Sequence, residues 1–241
     1  MMEFKSYIKN ADCFDEFVNI GDGVVDLVCV DLPYGQTSCH WDSVIDLSKM
    51  WKELKRICKD NSVYVFFCTT KFGYTIINSN PKWFRYDLVW EKSKSVGFLS
   101  AKKLPLRKHE MIYVFYKKSP TYNPQKTLGA PYKMKKKEKG DVGVYRNCKT
   151  YQRTAINNEG NRYPISIIKF DNPKKSFHKT QKPTDILEWL IKTYSNENDI
   201  VLDFTMGSGS TIEACMNTNR RYIGIEKDKD IYLVAKDRLD L

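Results

Sequence analysis

Ile200-Val-Leu-Asp203-Phe-Thr-Met-Gly207-Ser-Gly209-Ser210-Thr211-Ile212 is the stretch that decides the fold. Its first four residues read as an apolar strand, Phe204 to Thr211 as a tight run of small residues, and Ile212 onward as a helix. Glycine lets a backbone approach a ligand closely, and the opening turn of a helix offers unpaired N–H groups and the positive end of its dipole. Twenty-three residues after Asp203, the next strand Tyr222-Ile-Gly-Ile-Glu226 ends in a carboxylate, where nucleotide-binding α/β folds grip two ribose hydroxyls. The pairing of turn and acid is more specific than the turn alone, whose plain alternative is a strand-helix corner with no ligand. Gly207-x-Gly209-x-x-Ile212 lacks the third glycine of a dinucleotide fingerprint, and no Gly-Lys-Ser/Thr follows for a phosphate loop.

Outward from this turn, buried strands are expected at Val24 to Val30, Val63 to Phe67, Tyr86 to Trp90, Met111 to Tyr116, Ile200 to Asp203 and Tyr222 to Glu226. Between the first two, Val44, Leu47, Trp51, Leu54 and Cys58 recur at helical spacing beneath an Asp42/Ser43 cap, predicting a helix over Asp42 to Lys59. Further helices are expected at Pro183 to Ser195, Ser210 to Thr218 and Asp230 to Leu239. Strands alternating with helices imply an α/β fold, a doubly wound, mostly parallel twisted sheet covered on both faces. The segment from Ser119 to about Pro164 breaks the rhythm with Pro120, Pro124, Gly129, Pro131, Gly140 and Gly143. The expected organisation is one core made of residues 1–118 and 165–241, interrupted by an insertion at 119–164.

Composition narrows the class. The 241 residues suit one core, and 15 Tyr, 12 Phe and 5 Trp can fill it. The longest apolar runs fall far short of the roughly 20 residues of a membrane span, and no signal-peptide pattern opens the chain, so a cytoplasmic protein without a membrane partner is expected. Cysteines at 13, 29, 39, 58, 68, 148 and 215 form no CxxC pair, which indicates neither a disulfide framework nor a metal site. The net charge is +11, yet Lys117 to Lys182 alone holds 17 basic and 4 acidic residues, leaving the remainder slightly acidic. A basic surplus confined to one internal segment suits a polyanion-binding insertion; a solvated lysine-rich loop is the alternative.

The strand Val25-Asp-Leu-Val-Cys-Val30 runs into Asp31-Leu32-Pro33-Tyr34-Gly35, a carboxylate, a stiffening proline and an aromatic ring at the carboxyl end of a buried strand. This turn resembles the Asp-Pro-Pro-Tyr motif of DNA amino-methyltransferases, Asp203 to Thr211 resembles their cofactor loop Asp-Pro-Phe-x-Gly-Ser-Gly-Thr-Thr, and His178-Lys-Thr-Gln-Lys182-Pro183 resembles their His-Pro-Thr-Gln-Lys-Pro block. With the catalytic turn first and the cofactor loop last, the order is that of the permuted β group, and the resemblance runs from about Asp12 to Leu239. Leu32 replaces the first proline, Phe204-Thr205 stands where Pro-Phe is usual, Lys179 replaces a proline and Ser210 a threonine.

The resemblance implies the Rossmann-like fold of class I methyltransferases and transfer of a methyl group from S-adenosyl-L-methionine to the N6 amine of adenine in DNA, aspartate at residue 31 being usual for adenine and serine for N4-cytosine. An N4-cytosine DNA enzyme and an RNA N6-adenine enzyme remain alternatives; from other classes, so do an NAD-dependent oxidoreductase and a nucleic-acid-binding protein without catalysis. By the same carry-over, Asp31 and the Leu32 carbonyl would hold the two amine hydrogens, Pro33 would fix their geometry, and Tyr34 would stack on an adenine flipped out of duplex DNA. Glu226 would take the ribose hydroxyls. Asp31, Asp203, Phe204, Thr205, Gly207, Ser208, Gly209, Ser210 and Thr211 would surround the methionine end, closed by Lys182 and Pro183. Asp12 and Cys13, in a short block resembling Asn-Ala-Asp-Cys, would lie by the adenine of the cofactor, with Lys227 beside Glu226. His178 is read as structural, and His40, His109 and Trp90 as packing or surface residues.

Within the insertion, Lys133, Lys135, Lys136, Lys137 and Lys139 are the expected DNA phosphate contacts, since lysine is a flexible point charge. Arg146, Gln152, Arg153, Asn157 and Asn158 are the better base readers. A homodimer and a cognate restriction nuclease are the further partners left open by the resemblance.

Overall fold

The buried runs around Val28, Val65, Val114, Leu202 and Ile223 meet in one eight-stranded sheet. The computed structural model describes residues 4–33, 45–135, 137–140, 151–153, 156–173 and 181–241, of which 137–140, 151–153 and 156 through their backbone alone. In chain order the elements are β1 Tyr7–Asn10, α1 Cys13–Phe17, β2 Val25–Asp31, α2 Leu47–Ile57, β3 Cys58–Cys68, α3 Thr70–Ser79, β4 Phe84–Val96 and β5 Arg107–Tyr116. Six short strands follow: β6 Thr127–Leu128, β7 Tyr132–Met134, β8 Lys137–Gly140, β9 Tyr151–Arg153, β10 Ile156–Asn158 and β11 Asn161–Arg162. The chain ends with β12 Ile167–Phe170, α4 Thr184–Tyr194, β13 Ile200–Asp203, α5 Ser210–Asn217, β14 Arg221–Glu226 and α6 Lys229–Arg238.

The sheet order is β1-β14-β13-β2-β3-β5-β4-β12, parallel throughout except that β5 runs antiparallel to both of its neighbours. On β2, Val28 and Val30 face one apolar cluster with α1, α2 and α3, while Leu27 and Cys29 face a second with α4, α5 and α6. Both faces of the strand are thus sealed, which is why its sequence is continuously apolar. Each such fully buried side chain contributes about 1.5–3 kcal/mol. The mostly parallel, doubly covered sheet expected from the sequence is the one found.

The helix read at Asp42 to Lys59 is shorter. It opens at Leu47 under Asp46, whose Oδ1 accepts from the Lys49 N–H at 3.0 Å, and presents Met50, Trp51, Leu54 and Ile57 to the core. It ends at Ile57 because Cys58 turns extended and starts β3. Asp42 and Ser43, the expected cap, lie outside the described residues. Four elements of the sheet and its cover had no expectation: β1, α1, α3 and β12.

The chain divides into two bodies, Met1–Asn123 with Ser166–Leu241, and Pro124–Ile165. The break falls at Asn123 rather than Ser119 because Asn123 is sewn to the end of α4: its N–H donates to the Thr193 carbonyl at 2.8 Å and its Nδ2 to those of Lys192 and Ser195 at 3.2 and 3.0 Å. The second body consists of the antiparallel pairs β7–β10, β6–β11 and β8–β9. Inside it, Arg162 stacks 4.7 Å over the Tyr132 ring and donates to Asn158 Oδ1 at 2.5 Å and to the Ala130 carbonyl. No helix among the described residues is long and apolar enough to cross a membrane.

Candidate active site

The parallel strands end together. In register, Asn10 sits beside Glu226, Asp203 beside Gly224, and Asp31 beside Phe67, so the carboxyl ends of β1, β14, β13, β2 and β3 form one edge. The connections leaving β13 and β2 diverge, β13 to β14 on one side and β2 to β3 on the other. Doubly wound sheets bind ligands at such a divergence.

The turn after β13 holds itself open by a short set of contacts. Asp203 Oδ1 accepts from the Thr205 N–H at 3.1 Å, and the Gly209 N–H donates to the Met206 carbonyl at 2.9 Å. Gly207 and Gly209 both adopt left-handed backbone, with φ of 54° and 79°. Beside Gly207 an added Cβ would meet open space, whereas at Gly209 it would strike Leu239 Cδ1 at 2.8 Å. Gly207 therefore faces the crevice and Gly209 allows α6 to close behind the turn. Arg238, on α6, braces that rear side: its guanidinium donates to the Ser208 carbonyl at 3.0 Å and Ser210 Oγ at 2.9 Å and pairs with Glu213, which accepts from Thr184 Oγ1 at 2.6 Å. Ser208 and Ser210 are buried by this brace. Phe204 is likewise buried, its ring edge-on to Phe17 at 5.4 Å, so its side chain belongs to the core and only its backbone borders the turn.

Glu226 is oriented by two main-chain donors, Gly207 N–H on Oε2 and Asp228 N–H on Oε1, both at 2.9 Å. Asn10 Nδ2 fastens the backbone there, donating to the Glu226 and Lys227 carbonyls at 2.9 and 3.1 Å. Lys227 is exposed and reaches Asp12 Oδ2 at 3.0 Å, while Asp12 Oδ1 caps α1 through the Phe14 N–H at 2.9 Å. Burial works against the Asp12 charge, but Lys227 and the Phe14 N–H outweigh it and hold the carboxyl below its ordinary value. Cys13 lies buried at the start of α1, and burial, reinforced by Asp12, pushes its thiol up to about 12. It is not a reactive thiolate.

Asp203 is only 3% exposed. Burial pushes its carboxyl up to about 7, against hydrogen bonds from Thr211 and the Thr205 N–H, and the charges of Asp31 and Glu226 push in the same direction. Burial raises the Glu226 carboxyl as well. Asp203 thus lies within electrostatic reach of both Asp31 and Glu226, and the open backbone at Gly207 leaves room for a ligand beside this acidic edge. Both features fit S-adenosyl-L-methionine: a ribose for Glu226, a sulfonium cation for the acidic edge, and an ammonium group for the carboxylates.

At the neighbouring turn, Asp31 is half-buried at the end of β2. Thr205 Oγ1 donates to its carbonyl at 3.1 Å, tying the two turns together. Leu32, where the family has proline, is buried in the core. Pro33 is half-buried; Tyr34 lies outside the described residues, as does His178. The Asp31 Oδ2 is 2.5 Å from Lys182 Nζ, and Lys182 also lies 2.9 Å from Glu110 Oε1. Pro183 stands at the start of α4 and is buried. The ammonium expected over the cofactor thus rests on two carboxylates. Glu110 itself, with Lys92 2.6 Å away, went unread in the sequence. Its one signal is an acid at the head of the apolar strand Met111 to Tyr116.

Of the insertion residues, Lys133 and Lys135 are exposed, and Lys137 pairs across the β8–β9 ladder with Arg153, with Lys139 on the same strand. Lys136 and Arg146 lie outside the described residues. Asn158 accepts from the Gly160 N–H and Arg162 and donates through Nδ2 to the Asn161 carbonyl, which ties it into the fold of the insertion.

Comparison with known proteins agrees with this geometry. The profile of a family described as DNA methylase matches residues 25–237. The type II methyltransferase M1.MboII of Moraxella bovis is 28% identical over 92% of this chain and 92% of its own. The crystal structure of the M1.HpyAVI-SAM complex superposes with a TM-score of 0.67 at 24% identity, covering 97% of this chain and 98% of that one. PvuII DNA methyltransferase, described as cytosine-N4-specific, reaches 0.68 at 12% identity over 98% and 86% of the chains, so the fold is shared across target bases. With the motifs in order on one sheet edge and the profile spanning most of its length, the chain belongs to the DNA methylase family and is an S-adenosyl-L-methionine-dependent DNA methyltransferase.

Proposed function

We propose that the enzyme methylates the N6 amine of adenine at a specific site in DNA, as the modifying half of a restriction-modification pair in the cytoplasm. The observation that carries this reading is the Asp31 carboxylate at the mouth of the sheet, its backbone bonded to the cofactor turn through Thr205 at 3.1 Å. An exocyclic amine is a weak nucleophile because its lone pair is delocalised into the base. Asp31 and the Leu32 carbonyl, accepting both N–H groups, draw that density back onto nitrogen and stabilise the positive charge that grows there during transfer. S-adenosyl-L-methionine supplies a methyl group on a sulfonium sulfur, a good leaving group. Glu226 holds the ribose, the Asp203–Thr211 turn the methionine end, and Lys227 with Asp12 the far side. Tyr34 stacks on the base after it leaves the duplex, since an amine inside the helix cannot reach a donor buried at a sheet edge.

The insertion Pro124–Ile165 acts as the target-recognition region, its lysines on phosphates and Arg153 at a base edge. Single-molecule sequencing that detects modified bases in DNA from cells expressing the protein tests the whole reading. N6-methyladenine at one recurrent sequence is expected; N4-methylcytosine, or modification of RNA alone, would overturn it.

A further inference from the structure

Four charges run in a line across the carboxyl edge: Lys92 on β4, Glu110 on β5, Lys182 ahead of α4 and Asp31 on β2. Successive contacts are 2.6 Å from Lys92 Nζ to Glu110 Oε2, 2.9 Å from Glu110 Oε1 to Lys182 Nζ, and 2.5 Å from Lys182 Nζ to Asp31 Oδ2. Both ammonium groups also lie on aromatic faces, Lys92 over Trp90 at 4.6 Å and Lys182 over Phe67 at 5.2 Å. Glu110 and Lys182 are 13% and 11% exposed. Burial alone would raise the Glu110 carboxyl, but the charges of Lys182 and Lys92 outweigh it and hold it below its ordinary value. Isolated, each of these ions would be costly to bury; alternation of sign is what makes the line tolerable.

We propose that Glu110 is a positioning residue for methyl transfer: by sharing Lys182 with Asp31, it draws part of that ammonium's charge away from the Asp31 carboxylate. The proposal rests on the reading of Asp31 as the acceptor for the amine. A carboxylate fully neutralised by one lysine is a poor acceptor. One whose lysine is held from the far side by a second carboxylate keeps its orientation through Oδ2 and retains the negative potential that a developing cation needs. Among the described residues Asp31 also feels Asp203, which is itself close to Glu226, and the buried thiols Cys29 and Cys68, whose own ionisation burial suppresses. Against these acids the lysine line is the cationic counterweight, and Glu110 sets how much of it Asp31 feels.

Removing Glu110 or its neighbour Lys92 should move Asp31 in opposite directions. In Glu110→Gln, Lys182 and Lys92 act on Asp31 uncompensated; kcat should fall about tenfold while KM for DNA and for the cofactor stay within about threefold, and the acid limb of the kcat–pH profile should shift down by about one unit. In Lys92→Met, Glu110 turns wholly to Lys182, and the acid limb should shift up. Glu110→Asp, which restores the charge one methylene back, should recover part of kcat. Asp31→Ala in the same assay separates the two ideas: retained turnover there would remove Asp31 as acceptor, whatever Glu110 does. If Asp31→Ala is inactive but neither charge variant moves the acid limb, or both move it the same way, Glu110 does not act through Lys182. Should Glu110→Gln fail to fold, Lys92→Met, half-buried and closer to solvent, decides alone by the sign of its shift.

Discussion

At the carboxyl edge of the large sheet Asp31, Asp12 and Glu226 are half-buried and each has a partner: Asp31 Lys182, Asp12 Lys227, and Glu226 two N–H groups. In the body Pro124–Ile165, Lys133 and Lys135 stand exposed on and beside strands of two to four residues. The first arrangement holds geometry to within a hydrogen bond, as chemistry requires. The second spends little on order and offers its cations to a polyanion, as recognition requires. Substitutions in the two regions should therefore differ in kind: at the edge they alter rate, proton binding or cofactor affinity, and in the insertion they alter salt dependence and site preference.

The largest expected effect is Asp31→Ala, which should cut methyl transfer by about a thousandfold because the carboxylate acts on a charge present only in the transition state. Cofactor affinity should hardly change, since Lys182 keeps Glu110 as a partner. Tritiated-methyl transfer to duplex DNA, with calorimetry of cofactor binding, checks both halves; retained turnover breaks the comparison at its catalytic end.

Next comes the proton on Asp203. Its folded-state value is about 7 against an ordinary 3.8, a raised acid. Such a group adds stability that is fully present below about pH 4, is lost as pH rises to about 7, and changes no further above it. In the cofactor-free protein the stability of Asp203→Asn relative to the parent should accordingly grow between those limits, by at most about 4 kcal/mol. Denaturant melts at several pH values measure the gap. A gap independent of pH would mean that Asp203 is ionised throughout.

Glu226→Gln should weaken cofactor binding by about 10- to 100-fold, since a charge-assisted hydrogen bond to a ribose hydroxyl is worth roughly 1.5–3 kcal/mol. Gln keeps one acceptor oxygen, so only one of the Gly207 and Asp228 N–H groups retains its partner, and part of the lost affinity should come from the turn itself. Unchanged affinity by calorimetry would move the ribose elsewhere along the edge.

What could be read from the sequence follows the same division. β2, β13 and β14 are legible because both faces of each are buried and the runs are continuously apolar; the two turns are legible because their chemistry is local to a few residues. β1 is not, being a half-buried edge strand that holds its place by pairing with β14, more than two hundred residues away in sequence. α3 carries Gly73 in its middle and buries only Phe72, Gly73 and Ile76, too faint a stripe to recognise. The Glu110–Lys182 contact and the Arg238 brace join residues whose proximity exists only after the sheet has formed. In the insertion, strands of two to four residues leave no period to detect, and the side chain of Asn158 is bonded by Arg162 and Gly160, which only the folded insertion reveals.

The smallest and most selective effect lies in the insertion. Lys133 sits on β7 opposite Asn157, and Lys135 follows that strand; both are exposed. If they meet phosphates, replacing both by Gln should weaken binding to every duplex alike and flatten the dependence of log K on log salt by about 0.9 for each phosphate no longer neutralised. Arg153, across the ladder from Lys137, should behave otherwise: Arg153→Ala should leave the slope for scrambled DNA nearly intact and cost about 1–3 kcal/mol at the true site alone. Titrating specific and scrambled duplexes at several salt concentrations separates the two. A slope unaltered by the double lysine replacement would make Lys133 and Lys135 a solvated face, and the phosphate-binding surface would then be sought along Lys92 to Lys108, where Lys94 lies near the end of β4 and the exposed Lys102 and Lys103 stand in the connection to β5.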